Sequence, residues 1–452
     1  MRRHSFTTFD ITRDILATLS LPSVPLGLPG ADQPAFRSSF KIGAIAQASI
    51  AASACAASLF YSRRASISAP QVTVPLHHAA IEFQSEKLYS LHHEQKQELP
   101  WGRIGGLHKT KDGYVRIHDS LENHTNATLK LLGLPATAQK DDVAAEVAKW
   151  NGEDLENATV DKGVVIYKLR SFEEYDVIHS TTTQPIRIRM AAVSPPKLLP
   201  GLVHNRCLDG IKVVEMTRVI AGPVAGRTLA HHGAQVTWVT SPNLPDLPAL
   251  DIDFSRGKKR KYLDIKTAND KSELLNMLKD ADVFIQSYRP GALASQGLSI
   301  QELQKINPNI ICANLSAFGD GPWSKRRGFD SLVQTASGMN VSEAEHAGLG
   351  QDARAAPCQV LDHASGYILA SGIIAALYHR ESQGGSWEVN VSLSGTMDYL
   401  RSLSQYPGGS GFETLEVPIS ETFMEDLPHG KFVKHAASIE GIQIATHYGG
   451  IS

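Results

Sequence analysis

Residues 354–393, RAAPCQVLDHASGYILASGIIAALYHRESQGGSWEVNVSL, decide the fold of this chain. The long run rich in Ala, Ile and Gly predicts a buried helix, and Gly384 with Gly385 predicts the turn that ends it. From Trp387 to Leu393 apolar residues alternate with polar ones, as they do in a strand. The stretch therefore predicts a helix, a glycine turn and a strand in succession.

Asp362 stands where this helix is predicted to begin. It is the only carboxylate between Asp352 and Glu381, so its apolar surroundings predict a side chain that is partly desolvated and held in one orientation. Two interpretations stay open on local pattern alone. The carboxylate either caps the helix by accepting backbone N–H bonds or takes part in chemistry.

Composition excludes several classes of protein. The 452 residues are 42% hydrophobic and 20% charged, which is ordinary for a soluble globular protein of two or three domains and excludes fibrous and wholly disordered chains. A formal net charge of −2 gives no general attraction to nucleic acid or to an anionic membrane. The four cysteines lie far apart, which indicates neither a disulfide framework nor a metal site and favours a reducing compartment.

Two segments bear on targeting. Near the start, Asp10 and Asp14 interrupt what would be the core of a signal peptide, and they also argue against a mitochondrial presequence without excluding it. We therefore expect a cytoplasmic protein. Residues 42–61 are apolar enough to suggest a membrane span, but Ala and Ser transfer weakly into lipid, so a buried helix is favoured.

Strand-like and helix-like segments alternate in the second half, which predicts a mostly parallel sheet with helices on its faces. The predicted strands are 208–216, 234–239, 282–286 and 309–315, and the predicted helices are 223–232, 270–280 and 299–306. For the first half we predict a strand at 71–76, a polar helix from 82 to 97, a hairpin centred on Asp112-Gly113, helices within 124–180 including one from Ser171, and a linker at 181–208.

The chain contains an internal repeat at an offset of 380 − 63 = 317 positions. Residues 59–64, LFYSRR, align without gaps on residues 376–381, ALYHRE, and the apolar positions of the following strands align as well. The first copy has Ile45 where the second has Asp362. A residue that only capped the helix would be expected in both copies, so the difference favours chemistry at Asp362.

Six motifs in the second half carry a resemblance to a known family. They are LDGIKVVEMTRVIAGPVAGRTLAHHGAQV, SRGKKRKYLDIKT, ADVFIQSYRPGALASQGLS, NPNIICANLSAFGDGPW, RRGFDSLVQTASG and LDHASGYILASGIIAALYHR. In this order they resemble the N-terminal half of the family III CoA-transferases of the CaiB/BaiF type. KTKDGYVRI, LLGLP and RSFEEYDVIHS in the first half resemble later segments of that family. The chain therefore resembles a tandem or permuted form.

The resemblance implies a doubly wound, mostly parallel α/β sheet with a smaller α+β domain and two interlocked subunits. We divide the chain into an irregular lead-in at 1–40, a partial first copy with a small-domain-like segment at 41–200, a CoA-binding and catalytic α/β domain at 201–404, and an irregular tail at 405–452. The N-terminal half is expected to complete the fold, with the helices of 124–180 as the missing cover of the sheet.

The resemblance also implies a reaction. The family's aspartate, which matches Asp362, attacks an acyl-CoA thioester to give a mixed anhydride and then an enzyme-bound CoA thioester. Coenzyme A, acyl-CoA and a small carboxylic acid are then substrates, with no permanently bound cofactor and no metal. In the family a glycine-rich loop lies over the aspartate, and Gly102, Gly105 and Gly106 match it best here.

Further residues are matched to the binding of coenzyme A. The basic run from Arg256 to Lys261 is by itself equally well explained as a solvated turn, although phosphates do require cations and free N–H groups. The matched positions are Val219, Ile220 and Ala221 along the CoA channel, Arg256 and Lys258 at the nucleotide end, Ser287, Tyr288 and Arg289 beside the adenine, and Arg327 near the pantetheine.

Two other functions compete with the transferase. A 2-methylacyl-CoA racemase shares the fold but needs a histidine before Asp330, where this chain has Phe329, which cannot carry a proton. His363 adjoins Asp362, but a neighbour at a helix start points elsewhere. A non-catalytic acyl-CoA-binding protein is the alternative from another class, and the retained Asp362 argues against it. The transferase is therefore the favoured prediction.

Overall fold

The computed structural model describes residues 3–93, 102–160, 162–179, 184–197, 199 and 201–444. The helices are α1 (Thr8–Thr18), α2 (Ile42–Ala65), α3 (Leu76–Glu82), α4 (Ser85–Leu88), α5 (Glu122–Leu131), α6 (Lys140–Val147), α7 (Gly152–Ala158), α8 (Phe172–Ile178), α9 (Ala221–His231), α10 (Pro248–Phe254), α11 (Ala268–Asp280), α12 (Ile300–Ile306), α13 (Asp330–Ala336), α14 (Met339–Ala347), α15 (Val360–Gln383) and α16 (Leu393–Ser402). The strands are β1 (Leu26–Gly27), β2 (Val72–Thr73), β3 (Ser90–Leu91), β4 (Gly106–Lys109), β5 (Tyr114–Ile117), β6 (Ile166–Lys168), β7 (Ile186–Ala192), β8 (Lys212–Met216), β9 (Gln235–Thr240), β10 (Lys258–Tyr262), β11 (Val283–Gln286), β12 (Ile311–Ser316), β13 (Ser386–Ser392), β14 (Met424–Leu427), β15 (Gly430–Val433) and β16 (Ser438–Ile439).

Seven strands form the central sheet in the order β10-β9-β8-β11-β12-β13-β7. All neighbours are parallel except the edge strand β7, which runs antiparallel to β13. Ile285 and Ala313 face α9 and α15, whereas Phe284 and Cys312 face α11 and α12. The predicted doubly wound, mostly parallel sheet is confirmed, because the buried strands are covered by helices on both faces.

The two longest helices, α2 and α15, lie against each other in the core. Each has 24 residues and is long and apolar enough to cross a membrane by composition, and the apolar stretch of each is buried inside the protein. The buried helix predicted for residues 42–61 is therefore confirmed. The helices occupy equivalent positions in the repeat, and Ile45, the counterpart of Asp362, is fully buried.

The linker predicted at 181–208 is wrong in its middle part, because β7 lies there. Ile186 and Ile188 pair with β13 and pack on the core, while Arg187 and Arg189 point to the other face. This alternation of apolar and charged residues is typical of an edge strand, whose charged side chains oppose pairing with another strand. The prolines around the strand obscured the pattern.

Both termini contain regular structure where irregular segments were predicted. In residues 1–40, Thr7 and Asp10 form a capping box that begins α1, and Ile11 and Ile15 are buried. In the tail, β15 pairs with β3, and β16 pairs with β2. These strands depend on partners more than 300 positions away in sequence, so no local pattern could predict them.

The first half forms a smaller sheet, β4-β5-β6, with its own apolar core beneath α5, α6 and α7. The hairpin at Asp112-Gly113 and the helix beginning after Ser171 are confirmed. The helices of 124–180 therefore pack mainly on their own sheet, and α2 is the element of the first half that covers α15. The predicted cover of the large sheet was wrong in that respect.

Two local predictions for residues 71–97 were wrong. Only Val72 and Thr73 are in strand conformation, and the predicted polar helix is replaced by α3, α4 and β3, with residues 94–97 outside the described part. Glu82 at the end of α3 accepts a hydrogen bond from the backbone N–H of Ala436, at 2.6 Å. Contacts with the C-terminal segment thus override the local helical pattern.

Candidate active site

Asp362 lies at the third position of α15, and another carboxylate caps that helix. The Asp330 Oδ2 atom accepts hydrogen bonds from the backbone N–H groups of Leu361 and Asp362, at 2.7 and 3.0 Å. The other oxygen of Asp330 accepts from the Gln334 side chain. Asp330 therefore performs the capping that one interpretation assigned to Asp362, and within the described residues no donor contacts the Asp362 carboxylate.

The surroundings of Asp362 favour its protonated form. Its side chain is buried, with 7% relative exposure. Burial raises the pKa of the Asp362 carboxyl well above its usual range, and the negative charges of Asp330 and Glu86 raise it further. Burial also raises the pKa of Asp330, to about 6. A buried carboxyl whose pKa is raised both by burial and by a neighbouring buried carboxyl is typical of a functional site.

A buried pair lies behind Asp362. The His363 Nε2 and Glu86 Oε2 atoms are 3.1 Å apart, and both side chains are almost completely buried. The His363 ring stacks on Phe83 and lies beside Phe254. His363 is thus held in the core by Glu86, Phe83 and Phe254.

The smaller sheet packs against the segment that precedes α13. The Phe329 ring stacks on His118, with centroids 3.8 Å apart, and meets His124 edge-on. The Tyr167 hydroxyl donates to the backbone oxygen of Arg327 at 2.5 Å. Phe329, the residue that excluded a racemase histidine, therefore holds the two parts of the chain together beside Asp330.

The turn between β8 and α9 lies beside α15. Val219 has φ +69, a strained conformation for a β-branched residue that costs about 1–3 kcal/mol and occurs mainly at functional sites. Ala221 begins α9, and its backbone oxygen lies so close to Gly366 that a Cβ there would be only 2.6 Å from it. Close packing of the two helices thus places the predicted CoA-channel turn, Val219–Ala221, one helical turn from Asp362.

Three of the predicted binding segments meet near this turn. The Arg218 backbone N–H donates to the Ser287 hydroxyl at 3.3 Å. Burial raises the pKa of Tyr288, and the nearby charge of Arg218 opposes that shift. Burial likewise lowers the pKa of His124 to about 4, with help from the charges of Arg327 and Arg218. The turn, the Ser287–Tyr288 loop and Arg327 therefore converge around Arg218, which sequence reasoning missed.

Arg256 and Lys258 lie in the interior, so the solvated turn that was one interpretation of this basic run is wrong for these two residues. Lys258 is in β10 with its Nζ atom 2.9 Å from Glu215, and Arg256 bonds to Glu425 and to the backbone oxygen of Val433. Both cations are at least 97% buried. Their partners are internal, so the structure does not support their assignment to the nucleotide phosphates.

The Lys258→Met variant should therefore unfold at a lower urea concentration than the wild type. A loss of coenzyme A affinity alone is not expected. The substitution leaves the Glu215 carboxylate buried without its cation, and breaking such a pair costs about 3–5 kcal/mol. Urea denaturation measures the loss, and Lys259→Met, at an exposed neighbouring position, serves as the control. Normal stability together with selective loss of coenzyme A over dephospho-coenzyme A would restore the phosphate-binding role.

The remaining predicted residues are dispersed. The glycine loop closes on Asp119, whose carboxylate accepts from the N–H groups of Gly102 and Gly105, and Gly106 begins β4. Arg289 lines a cleft of about 740 Å³ to which strands β7, β11, β12 and β13 also contribute. The loop over Asp362 therefore stays a prediction.

Comparison with known proteins places the chain in a family. The family model described as CoA-transferase family III matches residues 16–166 and 208–407, well over half of the chain. The chain belongs to CoA-transferase family III. The resemblance seen in the six sequence motifs is thereby confirmed, and the match covers both copies of the repeat.

Several relatives of this family III chain are known. It is 28% identical over 343 residues to an acetyl-coenzyme A transferase of Hypoxylon pulicicidum, covering 70% of this chain and 57% of the relative. It is 36% identical over 200 residues to a probable fatty acyl-CoA transferase of Mycobacterium tuberculosis, covering 41% and 50%. A crystal structure of a CAIB/BAIF family protein from Brucella suis aligns with a TM-score of 0.38 at 27% identity, covering 44% and 58%. The chain thus spans about half the length of the curated relatives it matches.

Sequence reasoning missed three residues of the candidate site. Asp330 was noted only as the acid of the rival racemase, although its position opposite an uncapped helix makes it the cap. Arg218 adjoins the predicted turn and was passed over. Glu86 lies 277 positions from its partner His363, so only the fold could reveal it.

Proposed function

We propose that this chain transfers coenzyme A from an acyl-CoA thioester to a carboxylic acid, with Asp362 as the nucleophile. The proposal rests on the different roles of the two aspartates at the start of α15. Asp330 accepts from the N–H groups of Leu361 and Asp362, and among the described residues no donor contacts the buried Asp362 carboxyl. A carboxylate of this kind is available for covalent chemistry.

The reaction consists of acyl exchanges at the Asp362 carboxyl. The ionised Asp362 oxygen attacks the thioester carbon, and the C–S bond breaks to give a mixed anhydride and the thiolate of coenzyme A. The thiolate attacks the Asp362 carbonyl, which releases the first carboxylic acid and forms an enzyme–CoA thioester. The acceptor carboxylate attacks that thioester, and the freed thiolate finally takes the new acyl group from the second anhydride.

The surroundings of Asp362 increase the reactivity of its ionised carboxylate toward a bound thioester. Burial leaves the Asp362 carboxyl poorly solvated, which makes its ionised form a stronger nucleophile than a carboxylate in water. Fixing it against a bound thioester contributes effective molarity of about 7–11 kcal/mol in favourable cases. The turn at Val219 and the cations Arg218 and Arg327 lie where the channel of coenzyme A is proposed.

Asp330→Asn should move the acid limb of the pH–rate profile to lower pH. The charge of Asp330 raises the pKa of Asp362, so its removal lowers that pKa and lets Asp362 ionise at lower pH. The measurement is the rate of CoA transfer across pH 4–9. Asp320→Asn, at an acid with 75% side-chain exposure, should leave the profile unchanged. A shift to higher pH would refute the coupling.

A screen of purified protein tests the activity itself. Pairs of acyl-CoA thioesters and carboxylic acids are incubated with the protein, and new thioesters are identified by chromatography and mass spectrometry. Transfer to at least one acid is expected, and hydrolysis or α-proton exchange without transfer would contradict the proposal. Proton exchange would favour the racemase.

We also propose a cytoplasmic location and an interlocked homodimer. Within the described residues, all four cysteines are free and buried, which fits a reducing compartment. Sedimentation of the purified full chain tests the dimer. A monomer with full transferase activity would remove it from the proposal.

A further inference from the structure

Glu82, His231 and His435 form a buried cluster outside the candidate active site. Glu82 ends α3, His231 ends α9, and His435 lies in the segment between β15 and β16. Each offers one potential ligand atom, and the three atoms lie within 4.8 Å of one another. Their side chains are at most 3% exposed. The fold thus brings three metal-ligating side chains together from remote parts of the chain.

The histidines of the cluster have nitrogen atoms without hydrogen-bond partners among the described residues. His231 Nδ1 and His435 Nε2 are both buried in this way. The His435 Nδ1 atom lies 2.9 Å from Glu82 Oε1, and in the tautomer that donates from Nδ1 this hydrogen bond leaves Nε2 available to a cation. A buried polar atom without a partner costs about 1–3 kcal/mol, which a bound cation would offset.

The charges around the cluster leave a place for a cation. Arg227 and Arg256 both contact Asp253, and Arg256 also contacts Glu425. With Glu82, three carboxylates therefore face two guanidinium groups in the protein interior. An uncompensated buried negative charge is costly. A bound cation beside Glu82 would balance this excess of negative charge.

We propose that Glu82, His231 and His435 bind a Zn²⁺ ion that fixes the C-terminal segment to the body of the protein. Two imidazoles and one carboxylate are a donor set that Zn²⁺ favours, with a fourth position left for water. Nitrogen and oxygen ligands of tetrahedral Zn²⁺ lie roughly 3.3 Å apart, so ligand atoms that now lie within 4.8 Å of one another need to approach by at most about 1.5 Å. The cysteine spacing, which predicted no metal, could not reveal a site built from histidine and glutamate.

The position of the cluster indicates a structural role. The Ala436 N–H already bonds to Glu82, and β15 and β16 on either side of His435 pair with β3 and β2. An ion here would join α3, α9 and the C-terminal segment. The acyl transfer proposed for Asp362 does not require it.

Metal content and thermal stability of the full chain test the site. Protein grown with added zinc should contain one Zn²⁺ per chain by mass spectrometry, and chelator should lower its Tm until Zn²⁺ is restored. His435→Gln and His231→Gln should lose the stoichiometric Zn²⁺ and the response of Tm to chelator. His232→Gln is the matched control, because His232 is equally buried and its ring lies 5.4 Å from that of His435, yet it is outside the ligand set.

Cobalt provides a readout that does not depend on the variants folding. The stripped wild-type chain titrated with Co²⁺ should develop the visible absorption of a four-coordinate nitrogen and oxygen site, saturating at one equivalent. Absence of that spectrum, a wild-type chain without bound Zn²⁺ whose Tm ignores added Zn²⁺, or full metal retention by folded His435→Gln would each overturn the proposal.

Discussion

Asp362→Asn should abolish acyl transfer and stabilise the folded protein at neutral pH. Loss of a covalent nucleophile lowers turnover by at least about two orders of magnitude, and commonly by more. Asn keeps the size of the side chain, and the Asp330 cap of α15 contacts only the backbone of residue 362. The fold should therefore persist, as measured by circular dichroism and thermal unfolding beside a transfer assay.

The gain in stability follows from the direction of the pKa shift. The pKa of Asp362 is raised in the folded state, so the folded protein keeps this proton to a higher pH than the unfolded protein does. Wild-type stability therefore falls as pH rises from the unfolded pKa through the folded one. Asn has no proton to lose, so its advantage should be small at pH 4 and larger at pH 8. Asp280→Asn at an exposed position should change stability by less than about 0.5 kcal/mol, and an equal effect of both variants would contradict this explanation.

The second large effect concerns the two halves of the chain. Residues 205–452 expressed alone should be insoluble or molten, and co-expression with residues 1–204 should restore solubility and transfer activity. The first half supplies α2, which covers α15, and β7, whose Ile186 side chain lies against Gly372. Without the first half, the edge of β13 and the apolar surface of α15 would be exposed to solvent.

The tail must belong to the same fragment for this test. Without residues 1–204, β15 and β16 lose β3 and β2 as partners. Solubility and a cooperative unfolding transition are measured for each fragment and for the pair. A monomeric, cooperatively folded and active 205–452 fragment would show that the first half is an appendage.

The alternating strands and helices of the second half were predictable because their sequence signals are local. Strands such as β8 and β12 are short apolar runs, and helices such as α12 begin with Ser299 and Glu302 in a capping box. The position of Asp362 at a helix start was visible for the same reason. Local periodicity and caps do not depend on the rest of the chain.

The errors arose where remote contacts decide the structure. Lys258 belongs to a run that reads as a solvated turn, but a neighbouring strand and Glu215 draw it into the interior. Asp330 caps a helix that begins 30 positions later. β7 was hidden by prolines, and its partner β13 lies about 200 positions away. Such pairings are set by the fold and leave little trace in a local pattern.

Trapping of the intermediate tests the central claim most directly. The full chain is incubated with an acyl-CoA substrate from the screen, treated with hydroxylamine or borohydride, digested and analysed by mass spectrometry. The account predicts a hydroxamate or a reduced side chain on Asp362 alone, formed only with the thioester present and absent from Asp362→Asn. Sustained transfer activity with an unmodified Asp362, or with the adduct on another residue, would contradict it.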